Sequence, residues 1–277
     1  MNQYLKKRFW FGLRLVVLVT LATIFLFPIL MMVSTSLKTS EELYSGGFSL
    51  LSKNPTLENY AAAFTKIPYF RYMGNTAFIT ISNVVAQLLV APMVAYSLAK
   101  IQWRGARIIT GIILGTMMLP YFTIMVPLYK IWAFLGLTGT KWPLILCAFF
   151  GNPLYIIILR QFMSSVPNSL LDAARIDGCN EFQKYLFVML PLCKPAITTI
   201  GIFTFLQTWS DYLGPMLYLS DPKDYTLSIG LKAFISQYTI DWPSLMAASA
   251  TFIVPVVILF AFFQRNFVEG ISTTGLK

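Results

Sequence analysis

Histidine is absent from this chain of 277 residues, acidic residues number only 11, and cysteine occurs three times, at Cys147, Cys179 and Cys193. The missing imidazole excludes a histidine-based nucleophilic triad. The three thiols, far apart and without histidine, offer neither a clustered metal-ligand spacing nor a disulfide framework. No Gly-Lys pair occurs, so the phosphate-cradling loop of nucleotide hydrolases is missing as well. Nothing here points to covalent chemistry or to a cofactor held by the chain itself.

What the sequence has in abundance is apolar surface. Hydrophobic residues make up 57%, charged residues 12%, and the mean hydropathy is +0.67, outside the balance of a soluble domain. Six stretches of sixteen or more residues carry no charge: 15–37, 72–99, 108–129, 142–159, 195–210 and 242–264. A spanning helix needs about 20 mostly apolar residues and satisfies its own backbone hydrogen bonds in lipid. An all-α, polytopic membrane protein with six transmembrane helices is therefore expected. The fifth stretch is short, so its helix is expected to continue past Asp211.

Lysine and arginine are distributed unevenly among the connections. The N-terminus to Arg14, Lys100 to Arg107, Arg160 to Lys194 and the tail from Arg265 hold 13 basic and 4 acidic residues, a net 13 − 4 = +9. The alternate connections hold 8 basic and 7 acidic, a net 8 − 7 = +1. Short basic loops resist translocation, which places both termini and loop 160–194 in the cytoplasm. Loops 38–66 and 220–241 then lie outside. The overall charge of +10 reads as a topology signal plus attraction to anionic membrane lipid, and no basic stripe suggests nucleic acid. Lys6-Lys7-Arg8 precedes an apolar run too long for a secretory signal, so the first helix is expected to be a retained anchor.

Within the outer loop 38–66, Gly46-Gly47 and Asn54-Pro55 are turn sequences, and Glu58 to Phe64 reads as a short amphipathic helix. Prolines at 28, 92, 120, 127, 153 and 255 fall inside the expected helices and invite kinks.

The most informative segment is Asp172-Ala173-Ala174-Arg175-Ile176-Asp177-Gly178, followed nine residues later by Val188-Met189-Leu190-Pro191. A helix from Ser169 to Ile176 is expected after Pro167-Asn168, with Asp172 near its first turn and Gly178 in the left-handed conformation that closes a helix. Ala173 and Ala174 would present a small surface that another protein can approach closely. A second helix, Glu181 to Leu190, would end at Pro191.

This pattern resembles the signature loop of membrane permease subunits of binding-protein-dependent ATP-binding-cassette importers, whose usual form begins Glu-Ala-Ala. Asp172 keeps the charge and is one methylene shorter. Val126-Pro127-Leu128-Tyr129 with Leu135 to Thr140, the stretch from Trp209 to Leu219, and Phe267-Val268-Glu269-Gly270 are similar to the smaller maltose-type permease of the carbohydrate branch. The resemblance covers nearly the whole chain and implies a type I importer permease fold in a single transmembrane domain, residues 1–277, in a prokaryotic cytoplasmic membrane. It also implies partners: a second homologous permease, two cytoplasmic ATPases that bind ATP and magnesium, and an extracellular or periplasmic solute-binding protein. The loop residues Asp172, Ala173, Ala174, Arg175, Asp177, Gly178 and Pro191 would couple ATPase closure to the membrane path, with the tail from Gln264 approaching the ATPase pair. The cargo implied is a carbohydrate or polyol.

Polar residues within apolar stretches are the candidates for the substrate path. Thr76, Thr80, Asn83 and Gln87 are spaced four, three and four, one face of the second helix, a stripe for which interhelical hydrogen bonding is the preferred explanation. In the fifth helix Gln207, Trp209, Asp211 and Tyr212 stand out, because an acid in a membrane helix is costly and faces a cavity or a partner; that Asp211 instead reaches the outer headgroup layer is an equal alternative. Tyr129, Trp132, Trp142 and Trp242 are expected in interfacial belts. The competing classes are an ion- or proton-coupled secondary carrier, for which Asp211 is the one candidate acid and no internal repeat is found, and a membrane assembly protein without transport.

Overall fold

A computed structural model describes residues 3–44, 49–236 and 239–274, with side chains omitted at 3–6, at 8–9 and from 265 onward. The Gly46-Gly47 turn and the side chains of the 267–270 ending lie outside the described residues. The architecture is all-α: α1 is Gln3–Ser36, α2 Tyr69–Lys100, α3 Ala106–Met117, α4 Tyr121–Phe134, α5 Pro153–Ser165, α6 Asn168–Ile176, α7 Lys194–Trp209 and α8 Trp242–Thr274. Four helical stretches are long and apolar enough to cross a membrane, namely Trp10–Ser36, Tyr69–Lys100, Trp142–Ser165 and Trp242–Gln264. Two bent pairs bring the number to as many as six: α3 with α4, bent by 105°, and Glu181–Leu192 with α7, bent by 78°.

The bends have identifiable causes. Pro120, extended at φ −60° and ψ 138°, precedes α4 and cannot donate back into α3. It separates two helices where a single kinked one was expected. Pro153 likewise starts α5, beside Asn152, whose side chain caps the Leu154 N–H at 2.9 Å. Pro28, Pro92, Pro127 and Pro255 do lie inside helices.

The chain divides into two compact units. One comprises residues 1–70 and 230–254. Here the last carbonyl of α1, which has no partner within the helix, and those of the two residues after it are met by the outer loop: Asn59 Nδ2 donates to Ser36 O at 2.9 Å and Lys38 O at 2.7 Å, and Thr56 N–H to Leu37 O at 2.9 Å. Glu42 accepts from Ser52 Oγ at 2.6 Å and from the Lys53 N–H at 2.8 Å, which holds its carboxyl below the usual carboxylate range. The amphipathic helix forms as Glu58–Lys66.

The other unit comprises residues 71–229 and 255–277. Its core joins Ala91, Ala95 and Tyr96 of α2 to Tyr155, Leu159 and Met163 of α5, with Leu171 of α6 and Ile200 of α7. Fully buried alanines on α2 let neighbouring backbones approach, which is how helices associate where lipid competes equally for apolar side chains. Trp132 is buried in this unit, contrary to the belt expected of it, while Trp142 stays exposed and Tyr129 stacks on Tyr218 at 6.0 Å.

Candidate functional site: a signature lever and a polar cavity

The signature segment forms the expected helix, turn and second helical segment, with several corrections in detail. Asn168–Ile176 is the helix, and Gly178 follows at φ +85°. The Cys179 N–H bonds Ala174 O at 2.9 Å and the Gly178 N–H bonds Arg175 O at 3.1 Å, which closes the helix in the reverse turn that glycine permits. Asp172 is the fifth residue, directly after the first turn as expected, and it is exposed with Ala173 and Asp177.

Ala174 points the other way. It is 7% exposed and buried with Leu171 against its own chain, so the small surface expected of the Ala173-Ala174 pair is split between two faces. The outward apolar stripe is instead Leu170, Ala173 and Ile176, spaced by three; Ile176 is 87% exposed. The sequence reading missed Leu170 and Ile176, although their spacing from Ala173 was a usable signal.

The lever is fastened at both ends. Lys100, closing α2, donates to Val166 O at 2.6 Å and to Asn168 Oδ1 at 2.8 Å. Beyond the turn, Glu181 Oε1 accepts from Lys184 at 2.5 Å and from Arg175 at 3.2 Å, and Glu181 Oε2 accepts from Tyr96 OH at 3.2 Å. Arg175 therefore ties the two helical segments together. Lys184 is 3% exposed, a buried cation that needs this carboxylate. Asn180 and Gln183 form a capping box that starts the second segment. That segment continues as a π-helix over Lys184–Met189 and runs to Leu192, so Pro191 does not end it. Proline lacks an N–H and its ring crowds the carbonyl four residues back; the wider π turn directly before it relieves that crowding.

Within residues 71–229 the polar membrane residues converge on a cavity of about 470 Å³. Asn83 and Gln87 line it from α2, Gln207 and Asp211 from α7 and the turn after it, and Tyr121 and Tyr155 from α4 and α5. Trp209 and Tyr212 do not line it; Trp209 is buried and stacks on Phe205 at 5.2 Å. α7 ends at Trp209, so Asp211 sits in a turn and not in the helix expected to pass it. Its Oδ1 accepts the Gly214 N–H at 3.2 Å, and Pro215, without a donor, follows within the next helical turn. Thr204, Gln207 and Thr208 of α7 share the lining at offsets of three and four, a helical stripe that was legible in the sequence and went unread, and Asp211 joins them from beyond the helix end.

Asn83 and Gln87 of the α2 stripe make hydrogen bonds to other segments and also line the cavity. Gln87 Nε2 donates to Ala148 O at 3.1 Å while its Oε1 accepts the Asn152 N–H at 3.0 Å. It thereby satisfies the backbone where the helix breaks at Gly151, φ +77°. Asn83 Nδ2 donates to Leu144 O at 3.1 Å and still borders the cavity. Gln207 Oε1 accepts from Tyr155 OH at 3.2 Å. Thr76 Oγ1 accepts the Leu227 N–H at 2.9 Å, and Ser228 Oγ donates to Asp211 O at 2.6 Å, so the segment 226–228, of which Thr226 lines the cavity, is fastened to two other lining residues. Next to it, Lys141 pairs with Asp224 at 3.0 Å and donates to Asn75 Oδ1 at 2.8 Å.

With this geometry in view, residues 87–273 match the family of binding-protein-dependent transport system inner membrane components. The chain belongs to that family. The permease is 35% identical over 260 residues to the arabinooligosaccharides transport system permease protein AraQ of Halalkalibacterium halodurans, covering 93% of each chain. It is 32% identical over 253 residues to the sulfoquinovosyl glycerol transport system permease protein SmoH of Agrobacterium fabrum, covering 91% of this chain and 89% of that one. A chain in the crystal structure of a bacterial ABC transporter involved in import of the acidic polysaccharide alginate superposes with a TM-score of 0.83 at 26% identity, covering 96% and 98% of the two chains. The permease is thus a multi-pass membrane protein of the ABC importer permease fold, and the carrier and assembly alternatives fall away.

Proposed function

We propose that the permease carries a carbohydrate inward across the cytoplasmic membrane of a prokaryote, as one of two homologous membrane subunits driven by a pair of cytoplasmic ATPases and fed by an external solute-binding protein. The chain performs no catalysis; ATP and magnesium belong to the ATPases. With six spans, counting each bent pair once, both termini share a side, and the lysine and arginine bias supports the reading in which they and loop 160–194 are inside and loops 38–66 and 220–241 outside. The carbohydrate reading is supported by the transport systems named for its relatives.

The observation that carries the reading is the helix Asn168–Ile176, closed at Gly178, with its exposed face of Leu170, Ala173 and Ile176. Docked in an ATPase cleft, this face receives motion when the nucleotide dimer closes. Because α6 is tied through Lys100 to α2 and through Glu181 to Tyr96, a push on it moves α2. That helix also lines the cavity through Asn83 and Gln87. Such a connection lets the cavity alternate between the two sides of the membrane. The test is uptake of labelled saccharide by vesicles containing the assembled complex. Uptake that requires ATP and the ATPases is expected, and uptake without either would refute the assignment.

A further inference from the structure

The cavity has a charge pattern that bears on which saccharides it accepts. Among the described residues that line it, Asp211 is the one carboxyl group; the remaining ionisable groups are Tyr121, Tyr155 and Cys147, and no lysine or arginine is present. Lys141, which precedes the lining stretch from Leu144, is held by Asp224 and Asn75. A carboxylate accepts hydrogen bonds and donates none. It therefore suits sugar hydroxyls and repels a carboxylate, sulfonate or phosphate. Gln207 and Tyr121 add polar atoms to the same lining, and tyrosine rings supply the flat faces on which sugars stack.

We propose that this cavity takes an uncharged saccharide unit and that Asp211 excludes acidic sugars from it. The proposal rests on the carbohydrate reading above and separates this chain from a transporter of acidic polysaccharide. Polar clefts of one sign in a low-dielectric wall shift local concentrations of charged solutes by about 10-fold to 1,000-fold.

Cys147 lines the same cavity and reports on it directly. In the assembled complex with Cys179→Ser, Cys193→Ala and cysteine-free partners, the rates of Cys147 modification by cationic and anionic methanethiosulfonates of similar size are compared, each normalised to a free thiol. The cationic reagent is expected to react on the order of tenfold faster, and Asp211→Asn should bring the ratio to within about twofold of unity. A Cys147→Ala control identifies the labelled site. An anionic reagent that reacts as fast or faster, or a ratio unmoved by Asp211→Asn, would overturn the proposal. Neutral trisaccharides (maltotriose, xylotriose, arabinotriose) should protect Cys147 while trigalacturonate does not. If ATP-driven uptake of a neutral saccharide is intact and none protects, the cavity assignment is wrong and the carbohydrate function survives. If no saccharide is taken up, both fall.

Discussion

Replacing Ile176 by serine, and separately Ala174 by leucine, distinguishes an outward docking face from an inward packing face. Fully burying an isoleucine side chain contributes roughly 1.5–3 kcal/mol, and Ile176 is 87% exposed in this chain. Nearly all of that remains to be gained on contact with a partner, about 1.3–2.6 kcal/mol, or roughly a 10-fold to 80-fold change in affinity at about 1.4 kcal/mol per decade. Ile176→Ser should weaken capture of the ATPase by that factor and leave the melting transition of the permease within about 0.5 kcal/mol of wild type. Ala174, at 7% exposure beside buried Leu171, has no space for three more carbons. Ala174→Leu should destabilise the permease itself by about 1–3 kcal/mol through overpacking. Thermal unfolding of the purified subunit, paired with a titration of ATPase binding, reads both quantities. The reasoning fails if Ile176→Ser binds the ATPase normally, or if Ala174→Leu is as stable as wild type and impairs docking alone.

Two further outcomes follow from the hydrogen-bond geometry. Gln87→Leu leaves Ala148 O and the Asn152 N–H without their side-chain partner; at about 0.6 kcal/mol per membrane hydrogen bond, and up to about 3 kcal/mol per group left unsatisfied, a loss of about 1–6 kcal/mol in unfolding free energy is expected, and a loss below about 0.5 kcal/mol would refute the clamp. Asp241 caps α8 through the Ser244 N–H at 3.3 Å and pairs with Lys66 at 3.0 Å; burial alone would raise its carboxyl, but Lys66 and Ser244 outweigh that and hold it below the ordinary value. A lowered carboxylate contributes stability above its unfolded value near pH 4 and loses it as pH falls through the folded one, so Asp241→Asn should lose that contribution at neutral pH, a small one because the pair is partly solvent-screened, and should correspondingly flatten the decline in stability below about pH 4. Asp241→Ala, which also removes the cap, should cost about 1 kcal/mol; chemical denaturation against pH separates the two variants.

The sequence alone determined the solvent of this protein, the number of apolar stretches, the bias of lysine and arginine, and the position of the signature turn. These are properties of composition and local spacing. An uncharged run of helical length must satisfy its backbone internally in lipid, and Gly178 after Asp172-Ala173-Ala174 is where a chain can close a helix with positive φ. The same local information misjudged Pro120 and Asp211, because hydropathy does not register a break between two apolar segments. Only the tertiary structure decided that Ala174 faces inward while Ile176 faces out, since rotation of a helix about its axis is set by what packs against it. Likewise it took the folded chain to bring Asn83, Gln87, Gln207 and Asp211 from separate segments to one cavity and to leave Trp209 outside. Convergence of this kind depends on contacts between residues more than a hundred positions apart, and no periodicity along a single helix encodes them.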